Sequence, residues 1–355
     1  MKILHVAETV IGGIASHLEE IVDGQVARFG ADSVLLLAPE DQAGEVARLA
    51  PYLRTFRPAP SRALSALRLA RAAAAGARHF RPDIVHAHST FAGFGIRAMP
   101  RRALGNARIV YCPHGWSFAM DTGGLKRGIY AFVERALSHR CDAIINVSEH
   151  ERRLALAHGL PDDRLHVALN GIAATAPAAP EQAPEGPLRL LFVGRGNRAK
   201  GVDILLAALE RLDGGDRVVD IVGVGPDEVS DAADADRATL HGWVPRDQVQ
   251  SYLARCDALV MPSRWEGLPL AALEAMRAGK AVIASDCCSF GEVVEHGVTG
   301  LLFPTGDADA LAATLRSVTR EQLAEMGRAG RARFLDKFTA DAQEERIADI
   351  YRSLR

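Results

Sequence analysis

Two glutamates with seven residues between them frame the part of this chain best suited to chemistry. Glu266 and Glu274 lie in Ser263-Arg264-Trp265-Glu266-Gly267-Leu268-Pro269-Leu270-Ala271-Ala272-Leu273-Glu274-Ala275-Met276-Arg277-Ala278-Gly279, directly after the apolar run 258–261. The pattern predicts strand, tight loop and helix. Pro269 suits a first helical turn, where its missing N–H would have been unpaired anyway, and Gly279 suits the helix end. The N–H groups of Gly267, Leu268 and Leu270 would then point out of the strand ends as an anion site fit for phosphate. Glu266 stands just before the helix and Glu274 a little over one turn into it, so both carboxylates can reach one ligand.

This pair, followed by Ala281-Val282-Ile283-Ala284-Ser285-Asp286, resembles the E-x7-E region of retaining glycosyltransferases of the large GT-B family 4. In that family the second glutamate holds the ribose hydroxyls and the first lies beside the donor sugar, which gives Glu274 and Glu266 those roles by resemblance. Within Leu190–Asp203, Arg195 and Lys200 resemble the paired cations on the donor pyrophosphate, with Arg198 ranked below them. A departing nucleoside diphosphate gains negative charge, and two fixed cations with helix N–H groups can stabilise it without a metal. His241-Gly242-Trp243-Val244-Pro245 resembles the loop that meets the nucleotide base, with Val244 as the contact and Trp243 read as a packing aromatic. Gly12-Gly13-Ile14-Ala15-Ser16 resembles the glycine pair near donor phosphate and acceptor: Gly13 falls to the donor, Gly12 and Ser16 to the acceptor. Tyr111-Cys112-Pro113-His114-Gly115 resembles the His-Gly element, and strand ends of open α/β sheets line the ligand crevice. His114 therefore joins Glu266 as a catalytic candidate, with sugar contact and acid–base work both open to it.

Two rival chemistries lie in the same residues. Gly194-x-Gly196-x-x-Ala199 after a strand matches a dinucleotide fingerprint, but Asp220 precedes Ile221-Val222 instead of closing the next strand, and Arg195 and Lys200 are bulky where a dinucleotide needs close backbone approach. His86-Ala87-His88 invites a metal, yet no third ligand accompanies the pair in sequence, and the pyrophosphate already has cations. The expectation is no metal and no cofactor, the nucleotide-sugar being a substrate; the resemblance carries no divalent-ion requirement.

The elements that must position these residues read as alternating βα units. Strand candidates are 3–7, 34–38, 84–87, 109–112 and 143–147, then 188–193, 218–222, 258–261, 281–284 and 300–303. Residues 173–187 hold four prolines, which deny ladder bonds, and read as a linker. The expected organisation is an acceptor-binding Rossmann-like domain over 1–172, a nucleotide-sugar-binding Rossmann-like domain over 188–338, and a terminal helix over 339–355 crossing back to the first. In that helix Ile347, Ile350, Tyr351 and Leu354 share one face, with Glu344, Glu345 and Arg346 toward the other. The fold class is α/β, two doubly wound domains that the resemblance places face to face across a cleft as GT-B.

Composition sets outer limits. A chain of 355 residues, 48% hydrophobic and 24% charged with net charge −2, is neither disordered nor drawn to nucleic acid. Glu8 interrupts the first apolar stretch too early for a secretory signal, and no segment approaches the roughly 18 apolar residues of a membrane helix. The five cysteines form no CxxC pair and read as reduced, buried small hydrophobes of a cytoplasmic protein. Arg48, Arg54, Arg57, Arg62, Arg68, Arg71, Arg78 and Arg81 occur with no intervening acid among Leu64, Leu67, Leu69 and Phe80. That reads as a basic amphipathic surface able to touch the inner membrane peripherally. The resemblance then implies a retaining hexosyltransferase using a UDP-sugar in preference to a GDP-sugar, with a glycan or lipid-linked acceptor in bacterial polysaccharide synthesis. The alternatives are a non-catalytic nucleotide-sugar-binding assembly protein of the same fold and a sugar-nucleotide epimerase.

Overall fold

The computed structural model describes residues 1–120, 123–175, 186–212, 215–225 and 237–355. The chain divides into two compact units, Met1–Gly171 with Ala340–Arg355, and Ile172–Thr339. Most of the proline-rich segment 173–187, its residues 176–185, lies outside the described residues.

The first unit runs β1 (Ile3–Ala7), α1 (Gly13–Phe29), β2 (Val34–Pro39), β3 (Leu53–Phe56), α2 (Arg62–Phe80), β4 (Ile84–His88), α3 (Thr90–Ala98), β5 (Arg108–Cys112), α4 (Gly124–Ser138), β6 (Ala143–Asn146), α5 (Glu149–Ala157) and β7 (Leu165–Val167). Its strands are all parallel in the order β3-β2-β1-β4-β5-β6-β7. Apolar runs such as Ile3–Ala7 are buried along their whole length because helices cover both faces of a parallel sheet. Each fully buried Ile, Leu or Val there contributes roughly 1.5–3 kcal/mol.

The second unit repeats the scheme: β8 (Leu188–Val193), α6 (Val202–Leu209), β9 (Arg217–Val222), β10 (Ala238–Leu240), α7 (Arg246–Arg255), β11 (Ala258–Met261), α8 (Leu270–Arg277), β12 (Ala281–Ser285), α9 (Phe290–Val293), β13 (Gly300–Phe303), α10 (Ala308–Ser317) and α11 (Arg320–Lys337). Its parallel order, β10-β9-β8-β11-β12-β13, is that of the first unit shifted along the chain. The order reverses direction between β1 and β4 in one unit and between β8 and β11 in the other. In an open parallel sheet the carboxyl ends of the strands at such a reversal are the place for a ligand.

All the predicted strands form, and three more appear: β3, β7 and β10. Each is a sheet edge, three or four residues long, with polar side chains among its few positions, so no apolar run announces it.

The terminal helix α12 (Ala340–Ser353) belongs to the first unit, where it packs on α1. Ile347, Ile350 and Tyr351 are buried as expected, but Glu344 is buried too, against the prediction of a solvated face. It stands three and seven residues before Ile347 and Tyr351, hence on their side of the helix, and Arg28 of α1 meets its carboxylate at 2.6 Å. Burial raises its pKa. Among the described residues no helix is long and apolar enough to cross a membrane.

Candidate active site

In the second unit the loops after β8 and β11 are pressed together at the switch point. Gly201, at the N-cap of α6, has φ +69°, and a Cβ there would stand 2.0 Å from the Pro262 carbonyl oxygen. Only glycine fits both demands. Arg264 sews the loops further: its N–H donates to the Ala199 carbonyl at 2.7 Å, and its guanidinium holds the Arg198 carbonyl and both carboxylate oxygens of Asp203 at 2.6 and 2.8 Å. That bidentate bond holds the Asp203 carboxyl below its usual range. Neither Arg264 nor Asp203 was legible as a loop clamp, since 61 residues separate them.

Lys200 and Glu266 meet inside this frame. Lys200 Nζ lies 2.5 Å from Glu266 Oε1, and Ser263 donates to the same oxygen at 2.9 Å. The two side chains are 23% and 11% exposed, so the pair is largely withdrawn from water yet reachable. Arg195 is exposed on the same loop and carries no ion pair among the described residues. Glu274 is buried in α8. Pro269 is the N-cap of that helix, one position before the predicted first turn, and Gly267 and Leu268 lie in the loop ahead of it, with Leu270 opening the helix. At the other end Gly279, φ +70°, donates to the Met276 carbonyl and Lys280 to that of Ala275, the paired bonds of a Schellman cap.

Near the end of β9, Asp220 is taken by His241 at 2.6 Å instead of being left for a ribose. Val244 is half-buried two residues beyond Gly242. Trp243 is 66% exposed, which corrects its reading as a packing aromatic: Gly242 turns the chain with φ +62° and carries the indole away from the core.

The switch point of the first unit carries different chemistry. His5 on β1 is in register with His86 on β4, and Ala7 with His88, so parallel pairing gathers imidazoles 81 to 83 residues apart. His5 Nε2 lies 2.7 Å from Gln25 Oε1, His5 Nδ1 2.9 Å from His88 Nε2, and His88 Nδ1 2.9 Å from His114 Nε2. With the amide oxygen of Gln25 accepting, each neutral ring donates from Nε2 and accepts at Nδ1, which fixes every tautomer back to His114, whose Nδ1 faces the Cys112 thiol at 3.6 Å. His86 Nδ1 pairs with Tyr351 Oη at 2.6 Å, and His17 Nδ1 with Asn170 Oδ1 at 3.1 Å.

Burial drives all five pKa values down, His5 and His114 to about 4 and the other three well below the ordinary histidine range, with neighbouring imidazoles adding to the effect on His17, His86 and His88. The cluster is uncharged at neutral pH. His114 has φ +53°, unusual for a residue with a side chain, and both its ring nitrogens turn into this network. Gly12, Gly13 and Ser16 open α1, with open space where a Cβ of either glycine would stand.

The expectation that His86 and His88 lack a third ligand is corrected. Among the described residues, His5 with His86 and His88, and His17 with His88 and His114, bring ligand atoms within 4.8 Å of one another. The partners come from a neighbouring strand and helix, which spacing along the chain cannot reveal. In this arrangement the 2.9 Å contacts are hydrogen bonds, and a shared cation would have to break the His5–His88 bond or the His88–His114 bond to be bound. The cysteines also divide: Cys112, Cys141 and Cys256 are buried, whereas Cys287 and Cys288 are half-buried in the turn after β12, against expectation.

Residues 11–175 match the glycosyltransferase family 4 pattern and residues 177–333 the glycosyl transferases group 1 pattern. A 41.2 kDa protein of the cps region of Klebsiella pneumoniae is 31% identical over 99% of this chain and 100% of its own length. The amylovoran biosynthesis glycosyltransferase AmsK of Erwinia amylovora is 26% identical over 90% of this chain and 85% of its own. Among solved structures, Anabaena HepE in complex with UDP-glucose superposes with a TM-score of 0.84 at 20% identity, over 99% of this chain and 100% of that one.

Proposed function

Since the chain belongs to the family 4, group 1 glycosyltransferases and is a glycosyltransferase of GT-B fold, we propose that it moves a hexose from a UDP-sugar to a glycan or lipid-linked acceptor in polysaccharide assembly. The observation that carries this reading is the Lys200–Glu266 contact between the loops after β8 and β11, with Glu274 in the helix that follows. A nucleoside diphosphate entering the switch point offers Lys200 a more highly charged partner than one carboxylate. Lys200 passes to the diphosphate with Arg195, and Glu266, still held by Ser263, is left beside the sugar. The N–H groups at the start of α8 add to the phosphate site, Glu274 takes the ribose hydroxyls, and Val244 meets the base.

The reaction breaks the bond from anomeric carbon to β-phosphate oxygen and forms one from that carbon to the acceptor oxygen; the acceptor proton goes to the departing phosphate. Attack on the face the diphosphate leaves retains configuration and needs no carboxylate nucleophile. Charge on the leaving group is met by Lys200 and Arg195, so no divalent ion is required. In the first unit, His114, neutral and held by His88, is the candidate polar group for a sugar, with Gly12, Gly13 and Ser16 the candidates for phosphate and acceptor. The choice of UDP over GDP is supported by the neighbour solved with UDP-glucose, and the role in polysaccharide assembly by the cps-region and amylovoran relatives. A lipid-linked acceptor is met at a membrane, for which the arginine-rich stretch 48–81 offers a basic surface.

Calorimetric titration of UDP-, GDP- and ADP-sugars in EDTA, native protein against Glu274→Ala, tests the donor site. Binding of a UDP-sugar without metal, weakened roughly 10- to 100-fold in the variant, is expected for loss of a charged hydrogen-bond acceptor. Absence of binding by every sugar nucleotide, or affinity indifferent to the substitution, would overturn the reading.

A further inference from the structure

Among the described residues, most of the large apolar side chains that the first unit exposes lie on one layer of helices. Leu64 and Leu67 on α2, Phe94 on α3, and Leu125, Ile129 and Phe132 on α4 are 44 to 81% exposed. These helices are neighbours, α2 against α3 and α3 against α4, and share one core beneath. Between α2 and α3 lies an apolar depression of about 400 Å³, lined by Ala66, Leu67, Ala70, Phe94 and Met99 with Arg71 among them. α4 is the unusual element. Positions 125, 129 and 132 fall on one helical face, and every residue from Gly123 to Tyr130 is exposed. Its far end is anchored, with Glu134 buried and 2.7 Å from Arg97. The helix thus presents an apolar stripe to solvent from a fixed base.

Charge decides what covers it. α2, α3 and α4 contain one acidic residue, Glu134, and Arg97 already neutralises it. Arg62, Arg68, Arg71, Lys126 and Arg127 are exposed around the apolar residues. Arg48 and Arg57, by contrast, are paired with Asp23 and Glu40, whereas Arg62, Arg68, Arg71, Lys126 and Arg127 make no ion pair among the described residues. Apolar side chains ringed by cations, on three helices without an exposed acid, match an anionic bilayer, whose headgroups meet the cations while the stripe enters the acyl boundary.

We propose that α4 is a membrane-inserting helix: Leu125, Ile129 and Phe132 enter the interface of an anionic bilayer, and Lys126, Arg127 and the arginines of α2 hold its headgroups. The biological purpose rests on the reading of a lipid-linked acceptor; the contact itself does not depend on transfer chemistry. It moves the point of insertion from the α2 stretch, where the sequence placed it, to a helix the sequence did not single out.

The test is cosedimentation of the full chain with phosphatidylcholine vesicles, with and without phosphatidylglycerol, at low and high salt. It compares the native chain, Leu125→Ser/Ile129→Ser/Phe132→Ser, and Arg62→Gln/Arg68→Gln/Arg71→Gln, each checked for unchanged melting. A Leu125→Trp protein reports insertion by its fluorescence, and sedimentation velocity reports self-association. Expected are partitioning onto phosphatidylglycerol vesicles that weakens in salt, at least tenfold loss in the α4 variant, about fivefold loss per cation removed, and a blue shift of the new tryptophan. An α4 variant that binds as the native chain does while the arginine variant loses binding overturns insertion by α4 and leaves the α2 contact standing. Failure of the native chain to prefer anionic vesicles overturns both, with the donor site unaffected. A native dimer that the α4 variant disperses shows instead that the face joins two copies, and overturns the proposal as well.

Discussion

The two switch points have the same strand order and opposite chemistry. Between β8 and β11 the structure holds an ion pair, Lys200 with Glu266, in loops clamped by Arg264 and Asp203 and only partly screened from water. Between β1 and β4 it holds five imidazoles stripped of charge by burial and joined through Gln25, Tyr351 and Asn170. Topology thus sets where a ligand can sit, because the ligand place of an open parallel sheet lies at the carboxyl ends of the strands where the order reverses. The side chains set what kind of ligand: a diphosphate requires fixed charge, whereas a sugar or acceptor hydroxyl is met by neutral polar groups that cost less to bury.

Removing the charge from the charged site should have the largest effect. Lys200→Ala is expected to lower kcat by about 10²–10³, roughly 3–4 kcal/mol of barrier, in an assay of nucleoside diphosphate release. Activity close to native would erase the distinction between the two switch points. Gly201→Ala asks whether the loops are as tightly pressed as their geometry requires. With a Cβ 2.0 Å from the Pro262 oxygen and φ +69°, a destabilisation of about 3 kcal/mol is expected in denaturant melts of the second unit; a loss below ~1 kcal/mol would mean the loops part easily.

The neutral site is sharpened by pH. His5 and His114 have folded values of about 4, below the unfolded 6.5, so on acidification the unfolded chain takes up protons first. Stability of the first unit should be full above about pH 6.5 and fall toward pH 4, by up to about 1.4 kcal/mol per pH unit for each histidine. His5→Gln with His114→Gln should flatten that slope in melts followed across the range. A slope unchanged by the double substitution would show that these rings are not the buried neutral bases.

Much of the second unit's switch point was legible because its signals are local. The apolar runs of β8, β11 and β12, the two glutamates and Gly279 lie close together in sequence, and the helix that carries Glu274 closes with a cap visible in its own residues. Glu344 shows where local reading slipped: charge suggested solvent, while helical spacing had already put it on the buried face beside Ile347 and Tyr351. The edge strands β3, β7 and β10 escaped notice because an edge needs neither length nor continuous apolarity.

The sequence by itself determined the elements and the identity of the groups able to do chemistry, since both depend on side chains a few residues apart and on the period of helix or strand. Only the tertiary structure decided the pairings. Parallel strands are joined by crossovers that carry the chain across the sheet, so the neighbours of a residue at a strand end lie dozens of positions away. Lys200 finds Glu266 across 66 residues, His5 finds His88 across 83, and Trp243 and the stripe of α4 face outward. Residue type does not encode such distances or directions; they follow from register, from the turn taken after each strand, and from which surface the core leaves uncovered.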